Sequence, residues 1–155
     1  MKQTAVYVRV SSRSQDHRAQ EADLRRWVAA SETPVRWVYD TFSGRTMDRP
    51  GWSELQLAIE MGEIGTIVVW RLDRLGRTAK GLVTLFEELH NRGIGLISLK
   101  DGLDLSTAAG RLMANVLASV AAFESEIRSE RQRAGIEAAR AAGRTWGGSV
   151  PGRRL

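Results

Sequence analysis

The chain has 155 residues, 43% apolar and 26% charged, so it is long enough for one domain with a proper core and too apolar to be disordered. It has no cysteine, which excludes a disulfide framework, a thiolate metal site and a cysteine nucleophile. No apolar stretch nears the roughly 20 residues that span a bilayer, and the expectation is a soluble, cytoplasmic protein. In chain order, Thr4 to Val10 is a β-rich run and Asp16 to Ala30 carries apolar residues at helical spacing. Val35 to Tyr39 reads as a second strand, Thr41 to Gly51 as a mobile polar loop, and Trp52 to Met61 as a helix. Thr66 to Trp70 is a third strand, Thr78 to Asn91 an amphipathic helix that stops at Gly93, and Ile94 to Leu99 a fourth strand. This alternation predicts an α/β fold: a mostly parallel four- or five-stranded sheet with helices on both faces, its functional residues gathered at the carboxyl ends of strands.

The pattern then changes to one long C-terminal helix. Asp104 to Ser106 offers caps for a helix from about Thr107 to Ala142. Leu112, Val116, Val120, Phe123 and Ile127 recur at spacings of four, four, three and four, an apolar seam that must pack on something. Beyond Ile127 the seam fades, and Arg133, Arg140 and Arg144 share one side of the helical wheel. The net charge is +5, of which the stretch from Arg133 onward holds +4, and 20 of the 23 basic residues are arginine. Arginine's planar fork favours phosphate, so a solvated terminal helix is less expected than one that packs on a partner subunit and extends over nucleic acid. The division read from these signals is an α/β core over 1–105, a long helix for dimerisation and DNA contact over 106–144, and a flexible basic tail over 145–155 that includes Arg153 and Arg154.

Two stretches carry chemistry. Arg9 and Ser11 sit two apart at a strand end and point the same way, so a guanidinium fork lies beside a hydroxyl. The third strand ends in Trp70-Arg71-Leu72-Asp73-Arg74-Leu75-Gly76-Arg77, three arginines and one carboxylate in a loop that opens onto the same edge. A surface ion-pair loop would look similar, but the net positive charge beside Arg9 suits a clamp on a phosphoryl transition state. Neither histidine completes a Ser-His-Asp pattern: His17 reads as a helix-surface residue and His90 as a helix-end residue. Activation of Ser11 therefore falls to the arginines, and neither a metal cluster nor a nucleotide-type glycine loop is present in the sequence.

Tyr7-Val8-Arg9-Val10-Ser11, Ser43-Gly44 with Asp48-Arg49, Leu72-Asp73-Arg74-Leu75-Gly76-Arg77, and Phe123-Glu124 with Glu130-Arg131 together resemble the catalytic domain of the resolvase/invertase family of serine site-specific recombinases, in order and over nearly the whole chain. The resemblance implies transesterification on duplex DNA with Ser11 as a nucleophile that forms a phosphoserine link, without ATP, metal, cofactor or small-molecule ligand. It implies that Arg9, Arg74 and Arg77 hold the scissile phosphate, that Arg49 contributes from the mobile loop, and that Asp73 orients an arginine or assists the leaving hydroxyl. Gln15 and Gln20 match polar residues after the nucleophile, and Arg131 reaches the site late or from the partner side. A homodimer that pairs into a tetramer at synapsis is expected; the alternative is a non-catalytic dimerising DNA-binding module of the same descent. Two features depart from the family pattern: Ser125 stands where an arginine usually follows Phe-Glu, and no helix-turn-helix domain follows within the 155 residues.

Overall fold

A computed structural model of the chain describes residues 1–11, 14–42, 49–76 and 78–143, with backbone only for Ser11, Ser14 to Asp16 and Phe42. The element order is β1 (Gln3–Ser11), α1 (Ser14–Ala29), β2 (Val35–Phe42), α2 (Pro50–Glu60), β3 (Ile64–Val69), a 3-10 turn (Leu72–Arg74), α3 (Ala79–Asn91), β4 (Gly95–Ser98), β5 (Leu103–Asp104) and α4 (Ala108–Ala141). The sheet order is β2-β1-β3-β4-β5; the first four strands are parallel and β5 pairs antiparallel with β4. The antiparallel edge strand is an addition to the expected alternation. It is two residues long, too short to show a period in sequence.

Both faces of the sheet are covered, which explains why β1 and β3 read as near-continuous apolar runs. Val6, Val8, Val68 and Trp70 pack with Leu24, Trp27 and Val28 of α1 on one face. Ala5, Tyr7, Ile67 and Val69 pack on the other with Leu55 and Ile59 of α2, Leu82, Phe86 and Leu89 of α3, and Ala114 and Leu117 of α4. The helix ends follow local chemistry. α3 is capped by Thr78, whose hydroxyl accepts from the Gly81 N–H, and the chain leaves it through Gly93 at φ +68. α4 is capped by Thr107 rather than by Asp104 to Ser106: the Thr107 hydroxyl accepts from Gly110, while the Asp104 carboxylate folds back onto the Ser106 N–H and hydroxyl. A β-carbon at Gly110 would collide with the Asp104 carbonyl, so only glycine lets α4 lie this close to β5.

The carboxyl end of α3 (Phe86 to Asn91) and the amino end of α4 (Arg111 to Asn115) line a common cleft. α4 starts at the amino edge of the sheet, just after the Leu105 N–H donates to the Leu96 carbonyl near the start of β4. At ~1.5 Å per residue its 34 residues span ~51 Å, against ~20 Å for the six residues of β3, so its second half extends past the core.

Candidate active site

β1 connects through α1 to β2 on one side, and β3 connects through α3 to β4 on the other. The sheet is thus wound in opposite directions from β1 and from β3, and the crevice at their carboxyl ends is where open α/β sheets take ligands. Ser11 closes β1 at that crevice, paired in register with Phe42, and the 3-10 turn that carries Asp73 and Arg74 follows directly from β3. Arg9 is buried to 8% exposure, on the α2 face with Tyr7, and the sheet register sets Asp40 beside it. Its carbonyl accepts from Gln20 Nε2 at 3.2 Å, which explains why Gln20, an amide on α1, is wholly buried: it fixes the end of β1 from the opposite helix.

The buried centre beneath the crevice is a network built on Asp40. Its carboxylate accepts from the Tyr7 hydroxyl at 2.6 Å, from the Gly51 N–H at 2.7 Å and from the Trp52 N–H at 2.9 Å. It therefore caps α2 from a neighbouring strand, where Arg49 at the N-cap makes no side-chain cap and Pro50 occupies the first turn. This moves the helix start two residues before the expected Trp52. It also holds Gly51 so tightly that a β-carbon there would sit 2.6 Å from the Tyr39 carbonyl. Arg49 joins from the other side. Its Nε and Nη2 donate to the Tyr7 hydroxyl at 3.2 and 3.1 Å, and its Nη1 and Nη2 donate to the carbonyls of Leu75 and Arg74 at 2.9 and 3.2 Å. The guanidinium also lies over the rings of Tyr7 and Trp52. Arg49, expected to face the phosphate from a mobile loop, also ties the turn after β3 to the core through these bonds.

Burial, then the bond to Asp40, pushes the Tyr7 hydroxyl from 10.0 up to about 12. The folded form keeps a proton that the unfolded chain loses above about pH 10, so this stabilisation is present below pH 10 and is lost as pH rises towards 12. The expected loss is roughly 2 to 3 kcal/mol over that window. Chemical denaturation at pH 9, 10, 11 and 12 should show it in the native protein, and a Tyr7→Phe protein should lack that share of the decline.

The turn after β3 is pinned a second time by Asp101, whose carboxylate accepts from the Leu72 N–H at 2.8 Å and the Ser98 hydroxyl at 2.6 Å. Asp73 is mostly exposed, 3.7 Å from the Nε of Arg74, whose own side chain is largely covered. The structure brings Arg9, Gln20, Arg49, Asp73 and Arg74 to the edge where β1 ends. Arg131 is exposed on α4, ~30 Å along the axis from Arg111. Arg77, Arg144, Arg153, Arg154 and the 43–48 stretch lie outside the described residues, as does the side chain of Gln15. Sequence reasoning missed Tyr7, Asp40 and Asp101 as site-building residues. A carboxylate directly after the strand pattern Val35 to Tyr39 was the available signal, since a buried charge in a strand needs a partner.

Comparison with known proteins decides the family. Residues 4–145 match the model described as the resolvase N-terminal domain. The chain belongs to the resolvase/invertase family of serine recombinases. It is 42% identical over 144 residues to the DNA-invertase hin of Salmonella typhimurium, covering 93% of this chain and 72% of that protein. It is 43% identical over 144 residues to the transposon Tn552 resolvase of Staphylococcus aureus, covering 91% and 69%. Among solved structures, the N-terminal catalytic domain of TP901-1 integrase is 32% identical with a TM-score of 0.69, covering 81% of this chain and 98% of that one. This chain is accordingly a serine recombinase catalytic domain, and the Asp40 network and the Asp101 bracket are how its sequence builds the recombinase crevice.

Proposed function

We propose that this recombinase domain breaks and rejoins duplex DNA through a covalent phosphoserine link at Ser11. The observation that carries the reading is the end of β1: its last residue, Ser11, follows the buried Arg9 by two positions at the switch-point crevice, beside the doubly bracketed turn that presents Arg74. In the reaction, the Ser11 oxygen bonds to phosphorus as the bond to a deoxyribose oxygen breaks. That oxygen leaves with a proton, and the reverse attack reseals the strand and frees the serine. The link conserves the phosphodiester energy, so no nucleotide is consumed. Arg9, Arg74 and Arg77 stabilise the phosphorane charge, Asp73 orients Arg74 through its 3.7 Å pair, and Arg49 holds the loop that carries them.

The rest of the domain serves the same DNA. On α4, Leu112 and Phe123 are 64% and 61% exposed, and Val116 and Val120 lie between them. This stripe points away from the face that carries Ala114 and Leu117 onto the core, so α4 holds two apolar faces and only one is covered within the chain. A second copy covers the other, giving a homodimer that pairs into a tetramer at synapsis. Arg133 and Arg140 are exposed about 110° from the stripe, on the part of α4 that extends past the core, where they meet the DNA backbone with Arg144, Arg153 and Arg154. No described helix is long and apolar enough to cross a membrane, and the cytoplasm is the compartment in which such a DNA substrate would be met.

The test is trapping. The protein is incubated with a supercoiled plasmid pool carrying random inserts, quenched with detergent and digested, and the peptide containing Ser11 is sought with nucleotide mass attached. DNA retention without any such adduct would favour the non-catalytic reading. For the dimer, Phe123→Glu should convert a two-chain species to a one-chain species in sedimentation that is still folded, because Phe123 is already exposed in the single chain.

A further inference from the structure

Trp70 follows β3 directly and is 3% exposed, with its body among Val6, Val8 and Val68 on the α1 face. Burial alone explains an aromatic there, but its surroundings are cationic. The guanidinium carbons of Arg71 and Arg74 lie 4.6 and 5.4 Å from the indole centroid, and the Lys100 ammonium lies 6.0 Å from it. The indole N–H donates to Asp23 Oδ2 at 2.8 Å. Asp23 also pairs with Arg26 at 3.1 Å and Lys100 at 3.4 Å. Its carboxyl is held below the ordinary value, first by the indole bond and then by Lys100, so it remains an anion.

We propose that Trp70, anchored by Asp23, is a positioning residue for strand cleavage: its ring is the floor on which the Arg74 guanidinium is oriented toward the scissile phosphate. A ring face attracts a cation through its quadrupole and leaves the in-plane N–H fork to its other partners. The Asp73 carboxylate approaches the same guanidinium at its Nε, 3.7 Å away, so ring and carboxylate support Arg74 from different directions. Donating the indole proton to an anion makes the ring more electron-rich, which strengthens its hold on cations. The turn is thereby fixed by different means on the two sheet faces: its backbone carbonyls are bound by Arg49 on the α2 side, and the Arg74 side chain lies over Trp70 on the α1 side. Arg71, exposed and stacked on the same ring, adds a further cation at this edge.

This inference rests on the cleavage reading above, and the experiment separates the two. Trp70→Leu, Trp70→Phe and Asp23→Asn proteins are compared with the native chain for the rate of adduct formation on the plasmid DNA that the native protein cleaves, for DNA retention and for melting. Misplacing one catalytic group costs up to about 10²-fold. The expected order of rates is native, then Trp70→Phe and Asp23→Asn, then Trp70→Leu, the last down by roughly 10- to 100-fold with DNA retention unchanged. On a duplex whose scissile phosphate is replaced by a neutral methylphosphonate, the Trp70→Leu deficit should shrink, because the platform acts through a charge on the phosphate. A packing role alone would not respond to that replacement. Equal cleavage by all variants, or a deficit in Trp70→Leu that persists undiminished on the neutral substrate, overturns the proposal. If Trp70→Leu fails to fold, native-like rates in both Trp70→Phe and Asp23→Asn overturn it. Absence of any adduct from the native protein overturns the cleavage reading itself.

Discussion

A Ser11→Ala protein is expected to form no covalent adduct with DNA, a loss on the order of 10⁶ in rate when a catalytic nucleophile is removed, while its retention of DNA stays unchanged. The two quantities separate because backbone binding comes from many cations and the covalent step from one oxygen. The comparison with Arg74 is equally informative. Arg74→Ala should lower cleavage by about 10² to 10³, the usual effect of removing one positioned donor from a developing oxyanion. Arg74→Lys should recover only part, since an ammonium restores charge without the planar fork. The proposed mechanism assigns Ser11 no histidine base. His17 is the fourth residue of α1, its Nδ1 buried without a hydrogen-bond partner among the described residues, and His90 lies in the last turn of α3. A cleavage step driven by guanidinium electrostatics should therefore lack the inflection between pH 6 and 7 that a histidine base imposes. Single-turnover adduct formation from pH 5.5 to 9 measures this; a rate that falls tenfold per unit below pH 6.5 would return the role to a histidine.

How much of this was legible in the sequence depends on the range over which each residue acts. Strands buried on both faces announce themselves as apolar runs, and the α3 boundaries were readable because Thr78 and Gly93 act on the backbone within four residues of themselves. Arg9 and Ser11 were placed on one strand for the same reason, being two apart in the chain. The long-range contacts were not. Arg49 has no local signature that distinguishes a phosphate ligand from a residue donating to Tyr7 and to the carbonyls of Arg74 and Leu75, which lie 25 to 42 positions away. Trp70 read as the apolar end of a strand, and only the fold sets Asp23 against its indole. β2 was expected to end at Tyr39, short of a polar loop from Thr41. It continues to Phe42 because Asp40 has buried donors waiting for it. The seam on α4 illustrates the converse: its periodicity was plain, and the structure adds that it faces away from the core.

Asp40→Ala should be the most destabilising single change at the site and should impair cleavage beyond what the loss of stability explains. The carboxylate is 4% exposed and receives three hydrogen bonds, two of them from the otherwise unfilled first turn of α2. Removing it strands the Gly51 N–H beneath the surface and leaves the Tyr7 hydroxyl facing only the Arg49 cation. Breaking one side of a buried charged arrangement costs about 3 to 5 kcal/mol. Asp40→Asn keeps an acceptor of the same shape but loses the charge, so it should fall between the two. A urea titration should show the midpoint of the Ala protein well below that of the native chain with the same slope. The consequence for chemistry follows from Arg49, which is held by the hydroxyl that Asp40 orients and in turn holds the carbonyls of Arg74 and Leu75. Below the unfolding transition, the folded Ala protein should therefore cleave more slowly than native. In a Tyr7→Phe background the Asp40 change should cost less than it does alone, because the two act on Arg49 through one hydroxyl. Additive losses in that double-mutant cycle would show that Asp40 and Tyr7 support the crevice independently, and that the path from β2 to the arginine turn does not run through the hydroxyl of Tyr7.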